Sequence, residues 1–330
     1  MTRPVESREK NADQLIGPVA VLDPMSEAMQ EKVRGYAPGL DLRFAASSSQ
    51  EDFAAAVKGA PYIVPRGLGL PAAVLQGADA VKLVHQWGTG TDKIPLEVAR
   101  DMAVPVARSP GVNAPTVADL TIGLMIAALR RIPQHHNNTR AGKWVVGALI
   151  PGARDLNGLT VGLIGFGAIG QLVARRLSGF DCDVIYNRRS GPMETADARY
   201  AEMDEVLSSS DIVSLHLPLT DASRHMIGAA QFAQMKPAAV LVNTGRGGLV
   251  DEDALIAALR DGRLSAAALD VFAQEPVDQD NPLLQMDNVV ALPHIGGHTE
   301  DNLARMVSHW AGNIRAFDAG RGIDDACIVA

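Results

Sequence analysis

Three short segments of this 330-residue chain each place a chemically capable side chain just past an apolar run. Arg246 lies in Asn243-Thr244-Gly245-Arg246-Gly247, Glu275 in Leu269-Asp270-Val271-Phe272-Ala273-Gln274-Glu275-Pro276, and His294 in Leu292-Pro293-His294-Ile295-Gly296-Gly297. A guanidinium is planar and grips a carboxylate through two parallel hydrogen bonds. An imidazole, with an ordinary pKa of ~6.5, gives or takes a proton near neutrality. A neighbouring carboxylate favours the charged imidazolium. Together the three side chains would anchor a small carboxylic acid and move a proton at an oxygen beside it.

Upstream stands Gly165-Phe166-Gly167-Ala168-Ile169-Gly170. A G-x-G-x-x-G run alone is a weak signal, but here an apolar strand pattern, Thr160–Ile164, precedes it and an amphipathic helical pattern through Leu177 follows. Gly165 suits the tight turn, Gly167 lets backbone approach a pyrophosphate, and Gly170 lets helix and strand pack closely. The amides of Ala168 and Ile169 would face the phosphates at a helix N-terminus. A dinucleotide turn, an anion-binding arginine and an acid–base pair are the equipment for hydride transfer to a 2-keto acid. The next strand ends in Tyr186-Asn187-Arg188-Arg189-Ser190, with no carboxylate to accept from a ribose 2′-hydroxyl. Two guanidiniums stand there instead, matched to the 2′-phosphate of NADP. The alternative is NAD, bound through Asn187 beside two solvated arginines.

The elements that must position these residues fall into two alternating series. In the first third, strands are expected at 18–22, 41–44, 62–64, 82–85 and 105–108, with helices at 25–34, 51–58, 71–76 and 95–102. A long helix is expected over 114–131, started by Pro115 and broken by Pro133. A second series places six strands at 160–164, 183–187, 211–216, 239–243, 266–270 and 288–292. Read as a doubly wound sheet of order 3-2-1-4-5-6, it puts the strands before Arg246, Glu275 and His294 side by side, next to the strand of the glycine turn, at the carboxyl edge where such sheets bind ligands. A last helix is expected over 300–317, with Thr299 as N-cap and Gly320 past its end.

The order and local sequence of these pieces resemble the D-2-hydroxyacid dehydrogenase family, from about Val81 to Arg315, and in particular its glyoxylate/hydroxypyruvate reductase branch. The resemblance implies an α/β protein of two doubly wound parallel-sheet domains. A Rossmann domain, 112–298, would be inserted in a flavodoxin-like substrate domain, 1–111 with 299–330. It implies that Arg246, Glu275 and His294 are catalytic and that NADP(H), with NAD second, exchanges hydride with a small 2-keto or 2-hydroxy acid such as glyoxylate, hydroxypyruvate or pyruvate. Asp270 matches the family's partner for the nicotinamide carboxamide, and Leu217 and Pro218 the wall beside the adenosine. Ser223 lies where the family often has Thr, and Thr244 and Gly245 near the nicotinamide ribose. His294 and Gly296 also belong to the expected cofactor contacts.

On the substrate side, Trp87-Gly88-Thr89-Gly90-Thr91-Asp92 is similar to the family's V-G-x-G-x-D loop, whose amides hold the substrate carboxylate. Trp87 replaces a small residue there. It either narrows the pocket, stacks on a substrate tail or anchors the loop. Arg66 either reaches a second anionic group or serves the surface, and Asn113 and Thr116 lie where the family lines its cleft, which is expected to close over the cofactor. The formate-oxidising branch lacks the glutamate, so Glu275 argues against it. A homodimer is implied by the family and by apolar residues on more than one face of the connecting helix. The rival from another class is a nucleotide-sensing corepressor built on the same fold.

Composition narrows the setting. With 47% hydrophobic and 21% charged residues the chain has globular proportions, and a net charge of −8 with scattered Lys and Arg excludes a nucleic-acid stripe. The two cysteines, Cys182 and Cys327, lack metal-ligand spacing and suit a reducing compartment. His298 follows His294 by four residues, but the intervening glycines oppose a helix, so no metal site is expected. No apolar stretch is long enough to span a membrane. The polar N-terminus does not resemble a signal peptide, and the end soon after the last helix leaves no regulatory domain; a cytoplasmic enzyme is expected.

Overall fold

The computed structural model describes residues 15–147 and 152–329, which form two compact units. The first runs up to Asn113 and resumes at Thr299; the second is Ala114–His298.

The first unit alternates β1 (Ile16–Leu22), α1 (Glu27–Tyr36), β2 (Leu40–Phe44), α2 (Gln50–Val57), β3 (Tyr62–Pro65), α3 (Ala72–Gln76), β4 (Leu83–His85), α4 (Leu96–Asp101) and β5 (Val106–Ala107). All five strands are parallel, in the order β2-β1-β3-β4-β5, the flavodoxin-like winding. Val19, Ala20, Val21 and Leu22 are all buried because helices cover both faces of the sheet. Phe53, Val74 and Leu75 pack with the core of one face, and Val33 with that of the other.

The second unit begins with α5 (Ala114–Leu129) and α6 (Ile132–Arg140). The helix expected over 114–131 is α5, which ends at Leu129; Arg131, left-handed at φ 50°, separates it from α6, and Pro133 lies in the first turn of that second helix. Then follow β6 (Thr160–Ile164), α7 (Ala168–Leu177), β7 (Asp183–Asn187), β8 (Arg199–Tyr200), α8 (Met203–Ser209), β9 (Ile212–Leu215), α9 (Ala229–Gln234), β10 (Ala239–Asn243), α10 (Glu252–Arg260), β11 (Leu264–Leu269) and β12 (Val289–Ala291).

The order is β12-β11-β10-β9-β6-β7-β8, all parallel. It corrects the sequence reading on one point. The two-residue β8 has no apolar run, so it escapes the pattern, yet it takes the outer place expected for 211–216. That segment, as β9, lies between β6 and β10. The strands β10, β11 and β12 remain adjacent, so the three candidate residues still emerge along one edge, one strand further from β6 than expected.

The last helix, α11 (Glu300–Asp318), returns to the first unit. Thr299 Oγ1 caps it by accepting from Asn302 N at 3.1 Å, and Met306, Val307, Trp310 and Ile314 enter the core there. Beyond it Ile328 pairs antiparallel with Ala107, covering the β5 edge.

Candidate active site

The glycine turn connects β6 to α7. Gly165 has φ +98°, and a β-carbon there would meet the His216 carbonyl oxygen at 2.5 Å; one at Gly170 would meet the Gly165 oxygen at 2.4 Å. These two glycines are required by packing. Gly167 differs: nothing lies within 4 Å of where its β-carbon would be. It is the N-cap of α7, so open space borders the first-turn amides of Ala168 and Ile169. A glycine the protein itself does not need, facing space at a helix N-terminus, fits a pyrophosphate.

Gly165 N donates to Asn187 O at 2.9 Å, which joins the turn to the end of β7. The Asn187 side chain donates to Ala201 O at 3.0 Å. Arg188 Nε donates to Ser190 Oγ at 2.7 Å and Nη1 to Met193 Sδ at 2.9 Å, while Arg189 is exposed. Past β9, Ser223 Oγ donates to Pro218 O at 2.9 Å and accepts from Thr220 N at 2.8 Å, which closes the loop carrying Leu217 and Pro218.

Arg246 follows β10 in a turn clamped by a residue the sequence reading passed over. Asn243, 1% exposed, accepts from Gly245 N at 3.0 Å and donates to Arg246 O at 2.9 Å. Its only signal was a polar residue ending an apolar strand. Thr121 Oγ1 donates to Val117 O at 2.8 Å, so its contact of 3.0 Å with Thr244 Oγ1 has Thr244 as donor. Arg246 Nη1 donates to Gly245 O at 2.8 Å.

Asp270, past β11, is 1% exposed, and each carboxylate oxygen accepts one amide at 2.8 Å, from Ile295 and from Gly296. Burial pushes its carboxyl above the usual range, opposed by those amides and by His294. Asp270 O also accepts His294 N at 2.8 Å, and His294 sits at φ +55°. Asp270 therefore shapes the loop that presents His294. Glu275 Oε2 lies 2.8 Å from His294 Nδ1, and its Oε1 accepts from Phe272 N at 3.1 Å. With Nδ1 donating to the carboxylate, Nε2 is the nitrogen left to meet a ligand.

The Trp87–Asp92 loop belongs to the first unit. Trp87 is 5% exposed; its ring is 5.5 Å from that of Trp310 and 5.1 Å from the Arg66 guanidinium. Of the three readings of Trp87, the buried ring matches the anchor. Arg66 is itself paired with Asp23 at 2.5 Å. Ser109 N donates to Gly88 O at 2.9 Å, and Thr89 Oγ1 donates to Ser109 O at 2.8 Å, so the loop's conformation is fixed from β5. Among the described residues no cluster of His, Cys, Asp or Glu could hold a metal ion, and no helix is long and apolar enough to cross a membrane.

Comparison with known proteins places the chain in a family. Residues 122–296 match the model of the D-isomer specific 2-hydroxyacid dehydrogenase NAD-binding domain. The chain is 39% identical to a glyoxylate reductase of Korarchaeum cryptofilum over 256 residues, 76% of this chain and 77% of that one. It is 39% identical to glyoxylate/hydroxypyruvate reductase B of Salmonella schwarzengrund over 263 residues, 78% of this chain and 80% of that one. A solved glyoxylate reductase from Paecilomyes thermophila superimposes with a TM-score of 0.79 at 29% identity, covering 96% of this chain and 98% of that one. The chain is a member of the D-isomer specific 2-hydroxyacid dehydrogenase family, enzymes that pair a nicotinamide cofactor with a small 2-hydroxy or 2-keto acid.

Proposed function

We propose that this enzyme is an NADPH-dependent reductase of glyoxylate, hydroxypyruvate or a similarly small 2-keto acid. The observation that carries the reading is the 2.8 Å pair of His294 and Glu275 at the carboxyl edge of a dinucleotide-binding sheet. Bound nicotinamide supplies the hydride that reduces C2. Gly165, Gly167, Ala168, Ile169 and Gly170 hold its pyrophosphate, and Leu217, Pro218, Ser223, Thr244, Gly245, Asp270 and Gly296 line the rest of the cofactor. Arg246 anchors the substrate carboxylate through its planar fork. His294 gives the keto oxygen its proton from Nε2 while Glu275 supports the imidazolium through Nδ1. The names of the similar reductases support the choice of acid.

NADP over NAD is supported by the end of β7, where Asn187, Arg188, Arg189 and Ser190 include no carboxylate. The side-chain amide of Asn187 is engaged by Ala201, which leaves the two arginines and the Ser190 hydroxyl as donors toward a 2′-phosphate. A homodimer in the cytoplasm completes the proposal. Ile122, Leu124, Met125 and Leu129 of α5 are buried in their own unit, so its apolar faces argue for a dimer less than the sequence suggested. Trp144 and Val146, 83% and 79% exposed, offer apolar surface for a second copy.

The test is oxidation of NADPH and NADH with glyoxylate, hydroxypyruvate and pyruvate. Turnover of at least one acid, faster with NADPH, is expected. Tight cofactor binding without turnover of any would point to a nucleotide sensor.

A further inference from the structure

Glu275 stands on an exposed loop, yet the role proposed for it requires a fixed carboxylate. The first residue of α10 supplies the means. Glu252 Oε1 accepts from Ala273 N at 2.5 Å, and Oε2 accepts from Asn281 Nδ2 at 3.2 Å. Asn281 in turn accepts from Leu283 N at 2.9 Å, which caps the turn Pro282–Gln285 leading back to the core. One carboxylate therefore holds both ends of the excursion from Ala273 to Asn281, and Glu275 is inside it.

An acid in the first turn of a helix is ordinarily explained by the helix dipole. Here Asp251 already caps α10, accepting from Ala254 N at 3.1 Å, and Asp253 adds an exposed first-turn carboxylate. Glu252 reaches across to the neighbouring loop instead. Backbone packing adds to the same junction: a β-carbon on Gly247, the residue after Arg246, would lie 1.8 Å from the carbonyl carbon of Phe272.

We infer that Glu252 is a positioning residue that holds the Glu275 loop so that its carboxylate meets His294. The inference rests on the acid–base reading above. Without Glu252 the Ala273 amide loses its acceptor, the loop samples other conformations, and Glu275 spends less time against the imidazole.

The test compares Glu252→Ala, Glu252→Gln, Asp253→Ala and Glu275→Gln in the full-length enzyme. Two readouts are used: the pH profile of keto-acid reduction, and hydrogen exchange of the Ala273 amide in the cofactor-free protein. In Glu252→Ala, kcat should fall about tenfold, the worth of one charge-assisted bond. The limb on which activity is lost as pH rises should move to lower pH, as in Glu275→Gln. Ala273 exchange should accelerate at least tenfold while NADPH affinity holds. Glu252→Gln keeps one acceptor for Ala273 and should recover most of the rate and profile, and Asp253→Ala should match the parent. A Glu252→Ala profile that stays put while Glu275→Gln moves it overturns the inference alone. An equal shift in Asp253→Ala overturns it too, as an effect of helix charge. An unmoved Glu275→Gln profile overturns the acid–base reading beneath it. If Glu252→Ala does not fold, Asn281→Ala takes its place, with a smaller shift in the same direction expected and none counting against the inference.

Discussion

Glu275 Oε2 and His294 Nδ1 meet at 2.8 Å across the ends of two adjacent strands, and the histidine backbone is left-handed at φ +55°. A non-glycine residue in that region costs on the order of 1 kcal/mol or more and persists only where its surroundings impose it. Here the Asp270 carbonyl and carboxylate impose it, through the amides of His294, Ile295 and Gly296. Two outcomes are expected. Removing the imidazole with His294→Ala should lower kcat roughly 10²–10⁴-fold with cofactor affinity retained; near-normal turnover would dismiss His294 as the acid. In the proposed reductive step the imidazolium gives the proton, so activity should fall as pH rises. Glu275→Gln removes the anion that favours the charged ring, so that fall should begin at lower pH. A profile superimposable on the parent's would reduce Glu275 to a loop residue.

Arg246→Lys tests the carboxylate anchor. Lysine keeps the charge and loses the fork, so KM for the keto acid should rise at least tenfold. The turn itself is held by Asn243 through backbone groups on either side, which the substitution does not touch, so NADPH affinity should change little. Equal losses for substrate and cofactor, measured by steady-state kinetics and by fluorescence titration, would mark Arg246 as structural.

Acid stability should depend on a histidine of the first unit, outside the chemistry proposed above. His85 is fully buried, with Nδ1 donating to Gln86 O at 2.9 Å and Nε2 accepting from Asn313 at 2.9 Å, an arrangement that needs the neutral ring. Burial, together with the nearby His309, pushes its pKa down to about 4. The unfolded chain binds this proton near pH ~6.5, so the stability from a neutral His85 is complete above that pH. It is lost progressively as pH falls toward the folded value, on the order of 3 kcal/mol in all. Urea unfolding between pH 7 and 4 should therefore show a steeper decline for the parent than for His85→Gln, where the titrating group is gone. Parallel declines would remove His85 as the source.

What the sequence disclosed follows from how local each signal is. Gly165 and Gly170 were legible because the steric need for them lies within one strand–turn–helix unit. The exits of β10, β11 and β12 were legible because buried parallel strands are apolar runs with sharp ends. β8 was not, since two residues at a sheet edge carry no periodicity. Nothing in the sequence singles out Glu252, because its partners at Ala273 and Asn281 are brought to it only by the packed sheet. The burial of Trp87 depends on Trp310, contributed by the far end of the chain, and no pattern around Trp87 announces that. Asp270 was assigned to a ligand by resemblance, while its two amide contacts to the His294 loop emerge only from the fold.

Cofactor choice is the sharpest remaining test, because the end of β7 departs from the acidic pattern of NAD enzymes. Arg188 is already oriented by Ser190 and Met193, so its guanidinium is partly ordered before any ligand arrives, whereas Arg189 is exposed. A 2′-phosphate can take charge-assisted hydrogen bonds from either, each worth about 1.5–3 kcal/mol. Loss of one should weaken NADPH tenfold or more and leave NADH, which has only a hydroxyl there, almost unchanged. The measurement is kcat/KM for both cofactors in the parent, in each single alanine variant and in the Arg188→Ala, Arg189→Ala double variant. The parent should prefer NADPH, and the double variant should lose most of that preference. The pre-ordered Arg188 should account for the larger share, since less side-chain freedom is given up when it binds. The advantage should also shrink with added salt, because Arg189 acts from an exposed position. A parent that prefers NADH, or a ratio that the double variant does not move, would make both arginines solvated surface charge. The roles proposed for Arg246, Glu275 and His294 would stand in that case, since none of them depends on the 2′ position.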